Sequence, residues 1–163
     1  MDDKEQRRRA YALREKMTAM PQPLVLLAED DEDVRRLVAT ALRKDGNSVI
    51  EASDGDDLVE HIGSALLFGH VHGELDPVSM VISDIRMPGP DGLEILARLR
   101  QSNIDVAVIL MSASSDPATR DEARRLGANA FVAKPFEIDD LRAVVRDLLA
   151  ATALGGASSA PRP

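Results

Sequence analysis

Hydrophobic positions along this chain follow two alternating patterns. Short, nearly continuous apolar runs predict strands of a parallel sheet that is covered on both faces. Between these runs, apolar residues recur at intervals of three and four, which predicts amphipathic helices. The predicted strands are LVLLA (24–28), SVIEA (48–52), VSMVISD (78–84), VAVILMSA (106–113) and AFVAK (130–134).

One helix is predicted after each strand. The first carries an apolar stripe and ends near Gly46, a residue suited to a helix C-terminus. The others are predicted over residues 56–67, around 93–99, over 117–126 and over 138–148. Five βα units in series predict an α/β fold with a doubly wound parallel sheet and five helices. For five strands, the flavodoxin-like order 2-1-3-4-5 is common.

The chain extends beyond this alternating region at both ends. Residues 1–22 form a predicted N-terminal arm, in which the spacing of Ala10, Leu13, Met17 and Met20 indicates a short amphipathic helix. Residues 23–151 form the predicted domain, and the small, polar and proline-bearing residues 152–163 predict a disordered tail.

Residues 63–77 are predicted to form an enlarged connection between the second helix and the third strand. Connections of this length inside a compact domain are uncommon and often functional. Three interpretations stay open: a loop that contacts a partner, a plain solvated insertion, or a metal site formed by His70, His72, Glu74 and Asp76.

Composition narrows the class of protein. The chain has 163 residues, no cysteine and a net charge of −8. A length of this kind suits one domain with appendages, and the absence of cysteine excludes disulfides and thiolate metal sites. The acidic balance argues against general nucleic-acid binding. Because the sequence shows neither a secretory signal nor an apolar run long enough for membrane insertion, we expect a cytoplasmic protein.

Polar residues collect at the carboxyl ends of the predicted strands. Glu29 and Asp30 follow the first strand, Asp84 ends the third, Ser112 ends the fourth and Lys134 ends the fifth. In a doubly wound sheet these ends share one edge, where ligands bind. Three carboxylates at one edge repel one another, and a hard cation such as Mg²⁺ relieves that repulsion. With a lysine and a hydroxyl added, such a site can accept a phosphoryl group.

Four stretches in order carry a family resemblance: LVLLAEDDEDVRR, SDIRMPGPDG, VILMSAS and FVAKPF. The second contains D-x-x-M-P-x-x-D-G without a mismatch. Over about residues 23–150, the sequence resembles the receiver domain of two-component response regulators, similar to the stand-alone chemotaxis regulator.

The resemblance implies a role for each residue at the strand ends. Asp84 corresponds to the phosphorylated aspartate. Glu29, Asp30, Asp84 and the backbone carbonyl of Arg86 correspond to the ligands of Mg²⁺ (or Mn²⁺). Lys134 corresponds to the lysine that pairs with the phosphoryl group, and its bond to Pro135 is expected to be cis.

Other residues correspond to positions that respond to phosphorylation. Ser112 matches the hydroxyl that binds the phosphoryl group and moves on activation, and Phe131 matches the aromatic switch residue. Phe131 is equally compatible with a simple core role. Arg86 and Ser114 match positions that tune the lifetime of the phosphoryl group. The resemblance implies an output face formed by residues 117–126, 130–134 and 138–148.

The expected function is that of a single-domain response regulator in two-component signalling or a phosphorelay. A histidine kinase or a histidine phosphotransfer protein would donate the phosphoryl group. The phosphorylated domain would then bind a downstream protein or form a phosphorylation-dependent dimer. Such a protein is a signalling switch, whose catalysis is limited to its own phosphorylation and dephosphorylation.

Two alternatives belong to other classes. One is a pseudo-receiver or scaffold that acts without phosphorylation, although such domains usually lose a site residue. The other is a metal-dependent phosphatase with a strand-end aspartate nucleophile. Enzymes similar to the haloacid dehalogenases need an acid two residues after that aspartate, and here the position is Arg86.

Overall fold

The computed structural model describes residues 2–18, 22–72 and 78–155. These residues form five strands and six helices in alternating order. The strands are β1 (Leu24–Ala28), β2 (Ser48–Ala52), β3 (Val78–Asp84), β4 (Ala107–Ser112) and β5 (Ala130–Ala133). The helices are α1 (Asp3–Thr18), α2 (Glu32–Lys44), α3 (Gly55–His72), α4 (Gly92–Gln101), α5 (Pro117–Arg125) and α6 (Ile138–Gly155).

The strands form one parallel sheet in the order β2-β1-β3-β4-β5, which confirms the predicted topology. The register aligns the carboxyl ends of neighbouring strands: Ala28 pairs with Ala52 and Ser83, and Asp84 pairs with Met111. The last residue of each inner strand therefore lies at the same edge of the sheet.

The sheet separates two hydrophobic clusters, and β1 contributes to both. Val25 and Leu27 pack into the cluster that contains buried residues of α2 and α6, such as Leu42 and Leu141. Leu26 and Ala28 pack into the cluster on the opposite face, with buried residues of α3, α4 and α5. Successive side chains of a strand point to opposite faces. A continuous apolar run therefore supplies both cores, and every residue of β1 is buried.

Local hydrogen bonds define where the helices begin. The Asp31 carboxylate caps α2 by accepting hydrogen bonds from the backbone N–H groups of Asp33 and Val34, at 2.9 and 3.1 Å. Asp91 and Glu94 form a capping box at the start of α4. Helix α2 begins directly after the first acid pair, because Asp31 follows Asp30, whereas a loop of residues 85–91 separates Asp84 from α4.

The described residues form the five helices predicted in the domain and, in addition, α1 in the N-terminal arm, where the apolar spacing predicts a helix; Met20, the last residue of that spacing, lies outside the described part. The side chains of residues 4–13 in α1 are exposed.

Two helices are longer than predicted. Helix α3 continues from the predicted end at residue 67 to His72, so the enlarged connection is helical up to residue 72, while residues 73–77 lie outside the described part. Helix α6 continues to Gly155, so the prediction of disorder is wrong for residues 152–155; residues 156–163 lie outside the described part. Neither extension contains proline, and Ala151, Ala153 and Leu154 suit a helix. Among the described helices, none is long and apolar enough to cross a membrane.

Two leucines of α2 provide a matched test of the core. Leu42 is fully buried between the helix and the sheet, whereas Leu37 is 55% exposed. We expect Leu42→Ala to lower the free energy of unfolding by about 3 kcal/mol, through lost apolar burial and the cavity left behind. Leu37→Ala should lower it by less than about 1 kcal/mol. Urea unfolding followed by circular dichroism measures both, and equal losses would contradict the described orientation of α2.

Candidate functional site

Three acids meet at the carboxyl edge of the sheet. Glu29 follows β1 directly, and Asp84 is the last residue of the adjacent strand β3. One carboxylate oxygen from each of Glu29, Asp30 and Asp84 lies within 4.8 Å of the others. Glu29 and Asp84 are buried and Asp30 is exposed. The cluster therefore opens to solvent on the side of Asp30.

Lys134 joins two of these acids. Its Nζ donates a hydrogen bond to Oε2 of Glu29 at 2.5 Å and another to Oδ2 of Asp84 at 2.7 Å. The backbone N–H of Lys134 donates to the carbonyl of Ser112 at 2.8 Å, which holds residue 134 beside the end of β4. The peptide bond between Lys134 and Pro135 is cis, the isomer that the resemblance implies.

Burial and ion pairing act against each other in this cluster. Burial raises the pKa of Glu29, although hydrogen bonds from Lys134 and from the backbone of Asp31 oppose that rise. Burial alone would lower the pKa of Lys134, but the hydrogen bonds to Asp84 and Glu29 outweigh it and the pKa is raised. Lys134 is therefore protonated at neutral pH, and one ammonium group faces three carboxyl groups.

The donor set fits a hard divalent cation. All three candidate side chains offer carboxylate oxygens, and the cluster is short of positive charge. The backbone N–H of Arg86 donates to Oδ1 of Asp84 at 3.2 Å, so the backbone of residue 86 lies beside the acids. The carbonyl of Arg86 stays a predicted ligand. Among the residues that the structure describes, Glu29, Asp30 and Asp84 form the one acidic group compact enough to hold a metal.

The predicted hydroxyl, Ser112, lies on the strand next to Asp84. Ser112 is buried, and its Oγ accepts a hydrogen bond from the backbone N–H of Ser114 at 3.0 Å. That bond occupies a lone pair of Ser112, and the O–H of a serine can still donate to a phosphoryl oxygen. Ser114 therefore contacts the site through its backbone.

Phe131 and Arg86 lie at the periphery of the site. Phe131 is half-buried and packs against the cluster shared by α3, α4 and α5. The guanidinium carbon of Arg120 lies 5.1 Å from the centre of its ring, at cation–π distance. A cleft of about 230 Å³ is lined by Arg120, Phe131 and Ser114. The side chain of Arg86 is exposed.

Sequence reasoning missed the turn between β2 and α3. The carbonyl of Ala52 accepts a hydrogen bond from the N–H of Glu29 at 3.1 Å, and the N–H of Gly55 donates to the carbonyl of Pro88 at 2.9 Å. Both contacts use backbone atoms, which carry no chemical signal in the sequence. The Asp54-Gly55 pair, which is typical of turns, was the one local feature of the sequence that pointed to this turn.

A doubly wound five-stranded sheet with an acid cluster, a hydroxyl and a lysine at its carboxyl edge defines a receiver-type α/β domain. The family model of the response regulator receiver domain matches residues 25–146. The chain belongs to this family.

Relatives and solved structures agree with this assignment. The regulatory protein AtoC of Escherichia coli is 34% identical over 125 residues, which cover 77% of this chain and 25% of AtoC. The transcriptional regulatory protein YkoG of Bacillus subtilis is also 34% identical, over 77% of this chain and 50% of YkoG. The chain thus spans a quarter to a half of the length of these two relatives.

Among solved structures, the receiver domain of the Francisella response regulator 1452 is 29% identical, with a TM-score of 0.66. The match covers 80% of this chain and 99% of that domain. The signal receiver domain of a Luxo repressor protein from Vibrio parahaemolyticus has a TM-score of 0.74 over 86% of this chain and all of that one. At 21% identity, this second likeness concerns the fold alone.

The bridge formed by Lys134 predicts a pH-dependent loss of stability in Lys134→Met. Removing the ammonium group removes a hydrogen bond that lowers the pKa of Glu29, so this pKa rises further. A carboxyl with a raised pKa favours the folded state while it is protonated, and this stability is lost as pH rises through the folded-state pKa. We expect a loss of about 2 kcal/mol near about pH 8 and a smaller loss near about pH 5.

Urea unfolding in a buffer with a chelator measures this difference. Arg36→Met is the matched control, because it removes an exposed ion pair with Glu32 in α2 and exposed pairs contribute little. A Lys134→Met variant that loses more stability in acid than in alkali would contradict the described bridge.

Proposed function

We propose that this receiver domain is a Mg²⁺-dependent phosphorylation switch in which Asp84 accepts the phosphoryl group. The observation that carries the proposal is the bridge from Lys134 to Glu29 and Asp84 at the open edge of the sheet. The bridge supports the proposal because it joins the proposed acceptor carboxylate and a proposed metal-binding acid to a cation suited to phosphoryl oxygens. Family membership supports the same assignment.

The proposed reaction is transfer from a phosphohistidine of a histidine kinase or a histidine phosphotransfer protein. A carboxylate oxygen of Asp84 attacks phosphorus, an O–P bond forms and the N–P bond to the imidazole breaks. The released imidazole nitrogen keeps the electron pair and takes up a proton. Lys134 and the hydroxyl of Ser112 bind phosphoryl oxygens.

Glu29, Asp30, Asp84 and the carbonyl of Arg86 are the proposed ligands of Mg²⁺, with Mn²⁺ as a substitute. When bound, the ion supplies positive charge to the phosphoryl oxygens and relieves the repulsion among the acids. The exposed side of the cluster at Asp30 leaves room for water and the phosphoryl donor. Arg86 and Ser114 are proposed to set the lifetime of the phosphoryl group, because both lie next to site atoms.

The proposed output passes through the face formed by α5, β5 and α6. Ser112 and Phe131 are the proposed switch residues. The cleft lined by Phe131 and Ser114 supports this path, because the N–H of Ser114 donates to Oγ of Ser112. We propose that the domain works in the cytoplasm and signals to a downstream protein, by dimerisation or along a phosphorelay. The net charge of −8 disfavours direct nucleic-acid contact as the output.

Acetyl phosphate with Mg²⁺ provides the direct test. We expect the intact mass to rise by one phosphoryl group, because Asp84 is the nucleophile and a small donor replaces the phosphohistidine. Asp84→Asn and addition of a chelator should each abolish the adduct. Asp105→Asn is the control, since Asp105 is exposed and lies between α4 and β4, away from the carboxyl edge.

Other outcomes would contradict the proposal. An adduct that persists in Asp84→Asn would place phosphorylation elsewhere. Failure to bind both the phosphoryl group and beryllofluoride, in a protein that binds Mg²⁺, would indicate a phosphorylation-independent scaffold. Catalytic turnover of phosphate esters would favour the phosphatase class.

A further inference from the structure

The turn between β2 and α3, residues 52–55, contacts both halves of the site. The carbonyl of Ala52 accepts a hydrogen bond from the N–H of Glu29, which begins the acid pair. The N–H of Gly55 donates to the carbonyl of Pro88, which lies in the loop that follows Asp84. One short turn, outside the resemblance motifs, therefore supports the acid pair and the loop of Asp84 together.

Gly55 is buried where this loop crosses the first turn of α3. A Cβ atom at Gly55 would lie 2.9 Å from the carbonyl carbon of Pro90 and 3.0 Å from its nitrogen, and closer still to its carbonyl oxygen. All three are backbone atoms, which cannot rotate away as a side chain can. The backbone of Gly55 is not in the left-handed region. The close approach of the loop, rather than backbone conformation, therefore requires glycine here.

The same loop has a second contact with α3. Gly89 has a φ of +78°, and a Cβ there would lie 2.7 Å from Oδ2 of Asp56. At its ends, the loop is held by the hydrogen bond from Arg86 N–H to Asp84 and by the bond from Gly92 N–H to the Ile85 carbonyl. The first turn of α3 thus supports the middle of a loop whose ends lie at the site.

We propose that Gly55 is a positioning residue for the phosphorylation site, an inference that rests on the proposed function. A side chain at residue 55 displaces Pro88 and Pro90 from α3. The displacement moves the backbone of Arg86 relative to Asp84 and the acid pair. Mg²⁺ affinity then falls although every ligand is intact. Metal ligands depend in this way on the groups that orient them.

Calorimetric titration of the full chain with Mg²⁺ tests this role. We expect Gly55→Ala to weaken Mg²⁺ binding by about 10-fold, the effect typical of losing a group that orients metal ligands. Gly63→Ala is the matched control: it makes the same substitution in the same helix, where nothing lies within 4 Å of the added Cβ. Its Mg²⁺ affinity should equal that of the unsubstituted protein.

Stability is measured separately, by urea unfolding in chelator, and the titrations are run where circular dichroism shows each variant to be folded. A merely structural role for Gly55 would lower the unfolding midpoint and leave the Mg²⁺ affinity of the folded protein unchanged. That result would overturn the inference.

If Gly55→Ala does not fold, Gly89→Ala is the second test. Its added Cβ would meet Oδ2 of Asp56 in the first turn of α3, and alanine strains the positive φ at residue 89, so the variant disturbs the packing of the loop on α3 from the exposed loop side. Weaker Mg²⁺ binding by folded Gly89→Ala supports the inference, and unchanged binding overturns it. Absence of Mg²⁺ binding by the unsubstituted protein would contradict the proposed function itself. If the unsubstituted protein binds Mg²⁺ and the variants bind it with the same affinity, only the proposed role of Gly55 is contradicted, and the proposed function stands.

Discussion

Mutual repulsion among three carboxyl groups is the constraint on which the site depends. Glu29 and Asp84 are buried, and burial of a carboxylate is costly unless a cation or hydrogen bonds compensate it. Lys134 supplies that compensation to both acids at once. The parallel order of the sheet makes this possible, because it places the ends of β1 and β3 side by side, with the end of β5 two strands from β3 and three strands from β1. The long side chain of Lys134 reaches from the end of β5 to both acids.

The charged groups are positioned largely by backbone contacts. The N–H of Glu29 donates to the carbonyl of Ala52 at the end of β2. The N–H groups of Lys134 and Ile85 donate to carbonyls at the end of β4, those of Ser112 and Met111. The site residues are thereby held by backbone hydrogen bonds at the ends of the strands. Asp30, by contrast, is exposed at the open side of the cluster.

Local patterns were sufficient to locate the elements. The predicted bounds of β1, β2 and β3 match the structure, because a continuous apolar run between polar residues depends only on nearby sequence. The ends of α3 and α6 were misjudged for a related reason. Their extensions lack proline but carry no strong apolar stripe, so local sequence favours neither helix nor coil clearly. The site residues could be predicted because each follows a strand directly in the sequence, and the carboxyl ends of parallel strands lie at the same edge of the sheet.

By itself, the sequence determined the fold class, because alternating strand and helix periodicities depend on nearby residues, and it showed which acids, hydroxyl and lysine follow the strands. The sheet order was predicted because it is the common order for five strands, and the structure confirms it. Only the tertiary structure decided that Lys134 bridges Glu29 and Asp84, that Arg120 stacks on Phe131, and that the loop after Asp84 lies against Gly55. These contacts join atoms far apart in sequence. Their distances are set by the packing of the whole domain, which no local pattern encodes.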